Sequence, residues 1–318
     1  MKQKTLLFIF TLLSTLTASA QLVGGIYYIF DADTKQATVT SGNGYYSGSV
    51  TIPATVRYNG VTYTVKSIED HAFYLCYNMT SVTIPKGVIS IGANAFYGCS
   101  GLTSITIPNS VTKIGEYAFD SCSGLTKVTI PTSVTSIGKY AFFNCSGLTK
   151  VTIQGSVTSI EEGVFYNCFG LTSVSIPNSV TSIGNFAFEY CSLTSLIIPG
   201  SVTLIGDHAF YSCSSLTNVY CYAEEMPNTY NNAFEDSPIS SATLHVPAAT
   251  VKTSKTTVPW SRFGNIVALQ DSDPQPGYDP EPTPEALRGD FNGDGEIGMP
   301  DVMFLMNKIL NGKFPDEE

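Results

Sequence analysis

Between Leu102 and Gly124 the apolar positions fall at Leu102, Ile105, Ile107, Val111, Ile114, Ala118, Phe119 and Cys122, with polar or small residues between them. Residues 125–147 repeat the same order. Six phenylalanines from Phe73 to Phe188 keep a spacing of 23, and Phe210 and Phe234 follow after 22 and 24. Self-similarity at such a period predicts a solenoid. Within one unit, "LTSITI" alternates between two faces and predicts a strand. Pro108 has no N–H to donate and ends it. "SVTKIG" then turns the chain, with Gly115 admitting a tight bend, and "EYAFDSC" is expected to return it as a short helical or 3₁₀ turn. One coil cannot bury its Leu, Ile, Val and Phe side chains alone, whereas stacked coils can. The predicted fold is therefore a β-rich α/β solenoid with a parallel sheet on one face. Some eight units at about 4.8 Å each make a rod on the order of 40 Å long.

The order Ile107-Pro108, Val111, Ile114-Gly115, Ala118-Phe119, Cys122 resembles the BspA-type leucine-rich repeat over about residues 50–247. "GIYYIFDADTKQATVT" with "YNGVTYTVKSI" is similar to that family's N-terminal cap, and "ATLHVPAATV" with "PWSRFGNIVAL" to its closing segment. Open solenoid ends expose apolar side chains and unpaired strand groups, so both caps are physically required. The expected organisation is a signal peptide at 1–20, an N-terminal β cap at 21–66, repeats at 67–247 and a C-terminal cap at 248–270. A Pro/acidic linker at 271–288 and a calcium-binding repeat at 289–314 complete it. The resemblance implies a surface protein of the bacterial and protist kind, often an adhesin.

Charge changes the picture at the two ends. Lys2 and Lys4, the apolar run Leu6–Leu16 and "ASA" before Gln21 form a secretory signal pattern. The run is too short to span a bilayer, so the mature chain is expected without a transmembrane segment, secreted or on the cell surface. Of the 26 acidic and 16 basic residues, 12 and 3 lie beyond Gln270, leaving a nearly neutral body. Such a body lacks the basic stripe that phosphate neutralisation needs, which disfavours nucleic acid.

Seven of the eight cysteines recur at one repeat position, Cys76 to Cys213, and Cys221 falls on a strand core position. Stacked rungs hold Cβ atoms about 4.8 Å apart where a disulfide wants about 3.8 Å. Free buried thiols are expected. Two of the three histidines, His71 and His208, share a repeat position six units apart, too far for one site. No nucleophile elbow and no Cys or His pair at zinc spacing is found, so no enzyme is expected; a hydrolase would need the chain to cleave a glycan. The outward strand positions, among them Ser104, Thr106, Lys127, Thr129, Lys150 and Thr152, form a hydroxyl-rich, mildly basic face that suits hydrogen bonding to a protein or glycan. A stripe of Tyr74, Tyr97, Phe143, Tyr166 and Tyr211 follows the Phe column and offers rings for stacking or anchoring.

Beyond the proline-rich linker, "DFNGDGEIGMPD" fits a calcium loop. Asp290, Asn292 and Asp294 stand at positions one, three and five, Glu296 offers its carbonyl, and Asp301 closes the loop at twelve. One Ca²⁺ is expected. The closing aspartate and the absence of a preceding helix resemble a type I dockerin repeat. That resemblance implies a cohesin-like partner, with Met299 and Pro300 at the positions that recognise it. Dockerins normally carry two such repeats, and one is found here. The reading is a non-catalytic, adhesin-like binding protein displayed through this tail. The alternative is a dockerin-bearing component of an extracellular glycan-degrading assembly.

Overall fold

The computed structural model describes residues 19–42 and 44–276. Its body is a parallel-sheet β-solenoid of about nine coils, and the coil that begins at Leu125 shows why these residues wind as they do. Strand Lys127–Ile130 alternates exposed and buried side chains. Pro131 ends it, a turn follows, and a two-residue strand, Ser136–Ile137, opens the next side. Turns carrying Ala141, Phe142 and Cys145 close the coil, all three fully buried.

Coil stacks on coil in strict register. Lys127 pairs with Lys150 and Thr129 with Thr152 along parallel strands, and Lys113 pairs with Ser136 on the second side. The wide sheet runs as three parallel ladders: Gly48–Thr51 to Ser104–Ile105, Lys127–Ile130 to Ser173–Ser175, and Ser195–Ile198 to Asn265–Ala268. The second, narrower ladder extends from Val61–Ile68 through Ser90–Ile91 and Lys113–Ile114 to Ser136–Ile137, and resumes from Ser159–Ile160 to Asn228–Thr229.

Two features differ from the sequence expectation. The "SVTKIG" segment does more than turn the chain: its Lys-Ile pair adds a rung to that second ladder. The "EYAFDSC" segment is not helical. Tyr117 and Ser121 take left-handed φ of 52° and 58°, as do the equivalent residues of other coils. These breaks stop a helix from propagating, and the freed N–H groups turn to the next coil instead. Phe119 N–H donates to the Ala141 carbonyl at 2.7 Å and Ser121 N–H to the Phe143 carbonyl at 2.8 Å. Buried backbone donors need partners, and here the neighbouring coil provides them.

The interior is a column of rings. Phe73, Phe96, Phe119, Phe142, Phe165, Phe188, Phe210 and Phe234 stack with centroids 5.0–5.6 Å apart and planes within 17°. Each such pair is worth about 0.5–1.5 kcal/mol beyond its buried area. The N-terminal strands Gln21–Val23, Ile26–Asp31 and Gln36–Thr40 pair antiparallel and continue into the narrow ladder, closing one end. At the other end Trp260, fully buried, meets Phe234 edge-on at 5.6 Å.

Candidate functional site

Much of the chain's polar chemistry is spent inside the spine. The thiols of Cys99, Cys122, Cys145, Cys168, Cys191 and Cys213 each donate to the phenylalanine carbonyl of the preceding coil at 3.1–3.3 Å. One coil further on, Ser237 takes over, its hydroxyl donating to the Phe210 carbonyl at 2.7 Å. All eight cysteines are free and buried. Burial pushes the Cys168 and Cys213 thiols up to about 12, which leaves them without nucleophilic character at neutral pH. Threonine hydroxyls such as Thr149 and Thr172 donate to carbonyls one coil back, and Ser110, Ser133, Ser179 and Ser201 do so at the next corner.

What remains for recognition is the exterior. On the outward face of the wide sheet Ser104, Thr106, Lys127 and Thr129 are exposed, Lys150 is half-buried and Thr152 is buried. Further along this face the chain covers itself. Tyr222 Oη donates to the Pro274 carbonyl at 2.8 Å, and His245 lies 3.5 Å from Asp273 and stacks on Tyr220 at 4.3 Å. The sheet face is thus open around coils two and three, and closed by the 270–275 segment near its C-terminal end.

The expected aromatic stripe is present on the turn side, and it is not purely aromatic. Tyr74 stacks on Tyr97 at 4.9 Å and Phe143 on Tyr166 at 5.2 Å. The same position, one residue after the column phenylalanine, holds an acid in three coils: the exposed Glu235 and, in the other two, Asp120 and Glu189. Both are buried, with 4% and 7% exposure. Burial pushes Asp120 up to about 6, partly opposed by the Ser121 hydroxyl that donates to it at 2.7 Å. Burial likewise raises Glu189, against the pull of His208. Glu162 behaves oppositely: the Tyr140 hydroxyl and Lys139 ammonium, at 2.7 and 3.0 Å, hold its carboxyl below the usual range. Periodicity alone pointed to rings here. The signal for the two acids was the register itself, read position by position rather than by residue type.

His208 is ringed by acids and an amide. Its Nδ1 lies 3.0 Å from Asp207 and 3.4 Å from Asn232, and its Nε2 3.6 Å from Glu235. This Asp–His pair faces a further carboxylate rather than a hydroxyl or thiol, so it does not form a nucleophile-activating relay. Among the described residues no three His, Cys, Asp or Glu side chains converge as a metal site, and no helix is long and apolar enough to cross a membrane. A shallow groove of about 720 Å³ runs beside the narrow ladder, bordered by Glu69, Asp70, Lys113, Glu116 and the glycine floor of Gly92 and Gly115. The calcium-loop residues Asp290, Asn292, Asp294, Glu296 and Asp301, with Met299 and Pro300, lie outside the described residues. So do residues 1–18 of the expected signal peptide.

A leucine-rich-repeat protein from Bacteroides ovatus has a similar structure, with a TM-score of 0.51 and 25% identity over 78% of this chain and 76% of that one. The leucine-rich-repeat protein of T. pallidum gives 0.45 and 27%, over 52% of this chain and 86% of its own. A leucine-rich cell surface protein from Faecalibacterium prausnitzii gives 0.30 and 23%, over 80% and 96%. No curated protein sequence matches the chain. The model of the BspA-type leucine-rich repeat region matches six copies across residues 66–191 and 137–256, more than half of the chain. With the 23-residue register, the stacked phenylalanines and the thiol ladder already in view, this match places the chain in the BspA-type leucine-rich-repeat family.

Proposed function

We propose that this chain is a non-catalytic binding protein that works outside the cell, presenting its solenoid exterior to a protein or glycan. The observation that carries this reading is the stripe of rings and carboxylates along the turn side, a surface that the packing of the spine does not require. Tyr74, Tyr97, Phe143, Tyr166 and Tyr211 lean on neighbouring rings yet remain partly exposed, and such rings serve as anchors for partners. The test is affinity capture from host-matrix and bacterial-surface extracts with the full chain. Alanine at Tyr97, Phe143 and Tyr166 is expected to abolish capture, whereas glutamate at Lys127 is not. Capture that survives the ring substitutions and is lost at Lys127 moves the site to the sheet face. The absence of any captured species defeats the reading.

Display through the tail belongs to the same proposal. Asp290, Asn292, Asp294, the Glu296 carbonyl and Asp301 supply the oxygen set of one Ca²⁺ site, and Met299 and Pro300 stand where a cohesin-like partner would be read. Calcium titration of the full chain is expected to increase helicity by circular dichroism, and Asp290→Ala with Asp294→Ala to remove the change. A flat titration of the native chain rules the site out.

A further inference from the structure

On the turn side around Glu189 several rings meet edge to face. Upstream both geometries occur: Tyr74–Tyr97 and Tyr117–Tyr140 lie at 19° and 6°, and Tyr140–Phe143 at 78°. Around Glu189 the angles are 87° for Tyr166–Tyr190 and 89° for Tyr190–Tyr211, beside the stacked Phe186–His208 pair at 19°. Edge-on contact leaves part of a ring face free of a stacking neighbour.

Acids gather at the same place. Glu189 occupies the stripe position between Tyr166 and Tyr211 and is 93% buried, and its Oε2 reaches no hydrogen-bond donor. Asp207 and Glu235 flank His208, and Asp236 accepts from Tyr211 Oη at 2.6 Å. Among the described residues no Lys or Arg lies within ion-pair reach of these four carboxylates; His208 is the basic ring between them. A buried carboxylate oxygen without a donor costs free energy that a cation would recover.

We infer that this patch receives an arginine side chain from a segment of a protein partner. Guanidinium fits on two counts. Its planar fork supplies the N–H donors that Glu189 lacks, and its face lies against an aromatic ring as an ammonium's does not. Phe186 and Tyr211, on either side of His208 at 5.8 and 5.0 Å, provide those rings. The inference rests on the binding reading above and gives it a chemical class of partner.

The experiment titrates an acetylated, amidated Gly-Arg-Gly-Arg-Gly peptide into the full chain and follows the aromatic protons by NMR. A saturable shift is expected with the arginine peptide and not with its citrulline counterpart. Glu189→Gln is expected to weaken binding by about fivefold or more, the equivalent of one charge-assisted contact, with the melting temperature retained. Asp207→Asn, which leaves the floor of the patch untouched, is expected to weaken it as well and serves if Glu189→Gln does not fold. Asp120→Asn, three coils away, is expected to leave it unchanged. Equal shifts with the citrulline peptide, indifference to both Glu189→Gln and Asp207→Asn, or no shift at millimolar peptide would each overturn the inference. A glucosamine oligomer that shifts these rings while the arginine peptide does not would overturn it in favour of a cationic glycan. Capture of surface proteins that is identical for the native chain and for Glu189→Gln leaves the binding function standing and removes only the arginine patch.

Discussion

Asp120 carries a charge where its neighbours in the same column carry rings, and the solvent it has lost shows in its titration. Its folded carboxyl titrates near 6 against an ordinary 3.8, so between those values the folded state holds a proton that the unfolded chain has released. Stability therefore declines as pH rises through that window, by up to about 3 kcal/mol for two pH units. Asp120→Asn is expected to raise the melting temperature at pH 7 and to leave it unchanged at pH 3.5, as calorimetry at both values would check. A second residue-scale expectation concerns the thiol ladder. Cys145→Ala removes one of two donors to the Phe119 carbonyl, which keeps the Cys122 N–H at 3.2 Å, and is expected to cost about 0.5–1.5 kcal/mol. Cys145→Ser keeps a donor there, as Ser237 does naturally, and is expected to be the milder change in chemical denaturation. Phe142→Ala removes a stacked ring outright and is expected to cost about 3–5 kcal/mol.

At the level of the element, glycine does specific work at the corner after the narrow ladder. A Cβ on Gly138 would lie 2.5 Å from the Glu116 nitrogen of the coil below, and Gly115 stands equally close to Ala93. Gly138→Ala is expected to destabilise by about 1–3 kcal/mol through overpacking, visible as a lowered thermal midpoint. Ser121→Gly relieves a φ of 58° but removes the hydroxyl that donates to the buried Asp120, and is expected to lower the same thermal midpoint. These corners also explain what could be read in advance. The wide strands announce themselves because Val128 and Ile130 alternate with Lys127 and Thr129 over four residues. The narrow ladder did not, because a rung of two residues such as Ser136–Ile137 is too short to show a period. The turn segment looked helical because Ala, Tyr and Phe tolerate a helix, and nothing local in Tyr117 or Ser121 signals a left-handed φ. The aromatic stripe was legible from spacing, and Asp120 and Glu189 interrupt it at positions that the register marks; their burial becomes visible only once the coils are stacked.

Across the whole molecule, contacts run between a coil and its two neighbours, and the ends are closed by dissimilar pieces: an antiparallel sheet at one, a tryptophan plug at the other. In such a one-dimensional arrangement stability is close to a sum of coil and interface contributions. The proposed contact surfaces are spread the same way, with exposed hydroxyls and Lys127 on the early sheet face and the rings and carboxylates around His208 in the later coils. The strict 23-residue register carries a consequence for heredity. Because Lys127 meets Lys150 as Lys150 meets Ser173, recombination between similar stretches of the gene could excise or duplicate one turn and leave every remaining junction with a familiar mate. Reach, and the distance between the two outward-facing surfaces, would then be adjustable in whole-turn increments without inventing a new interior.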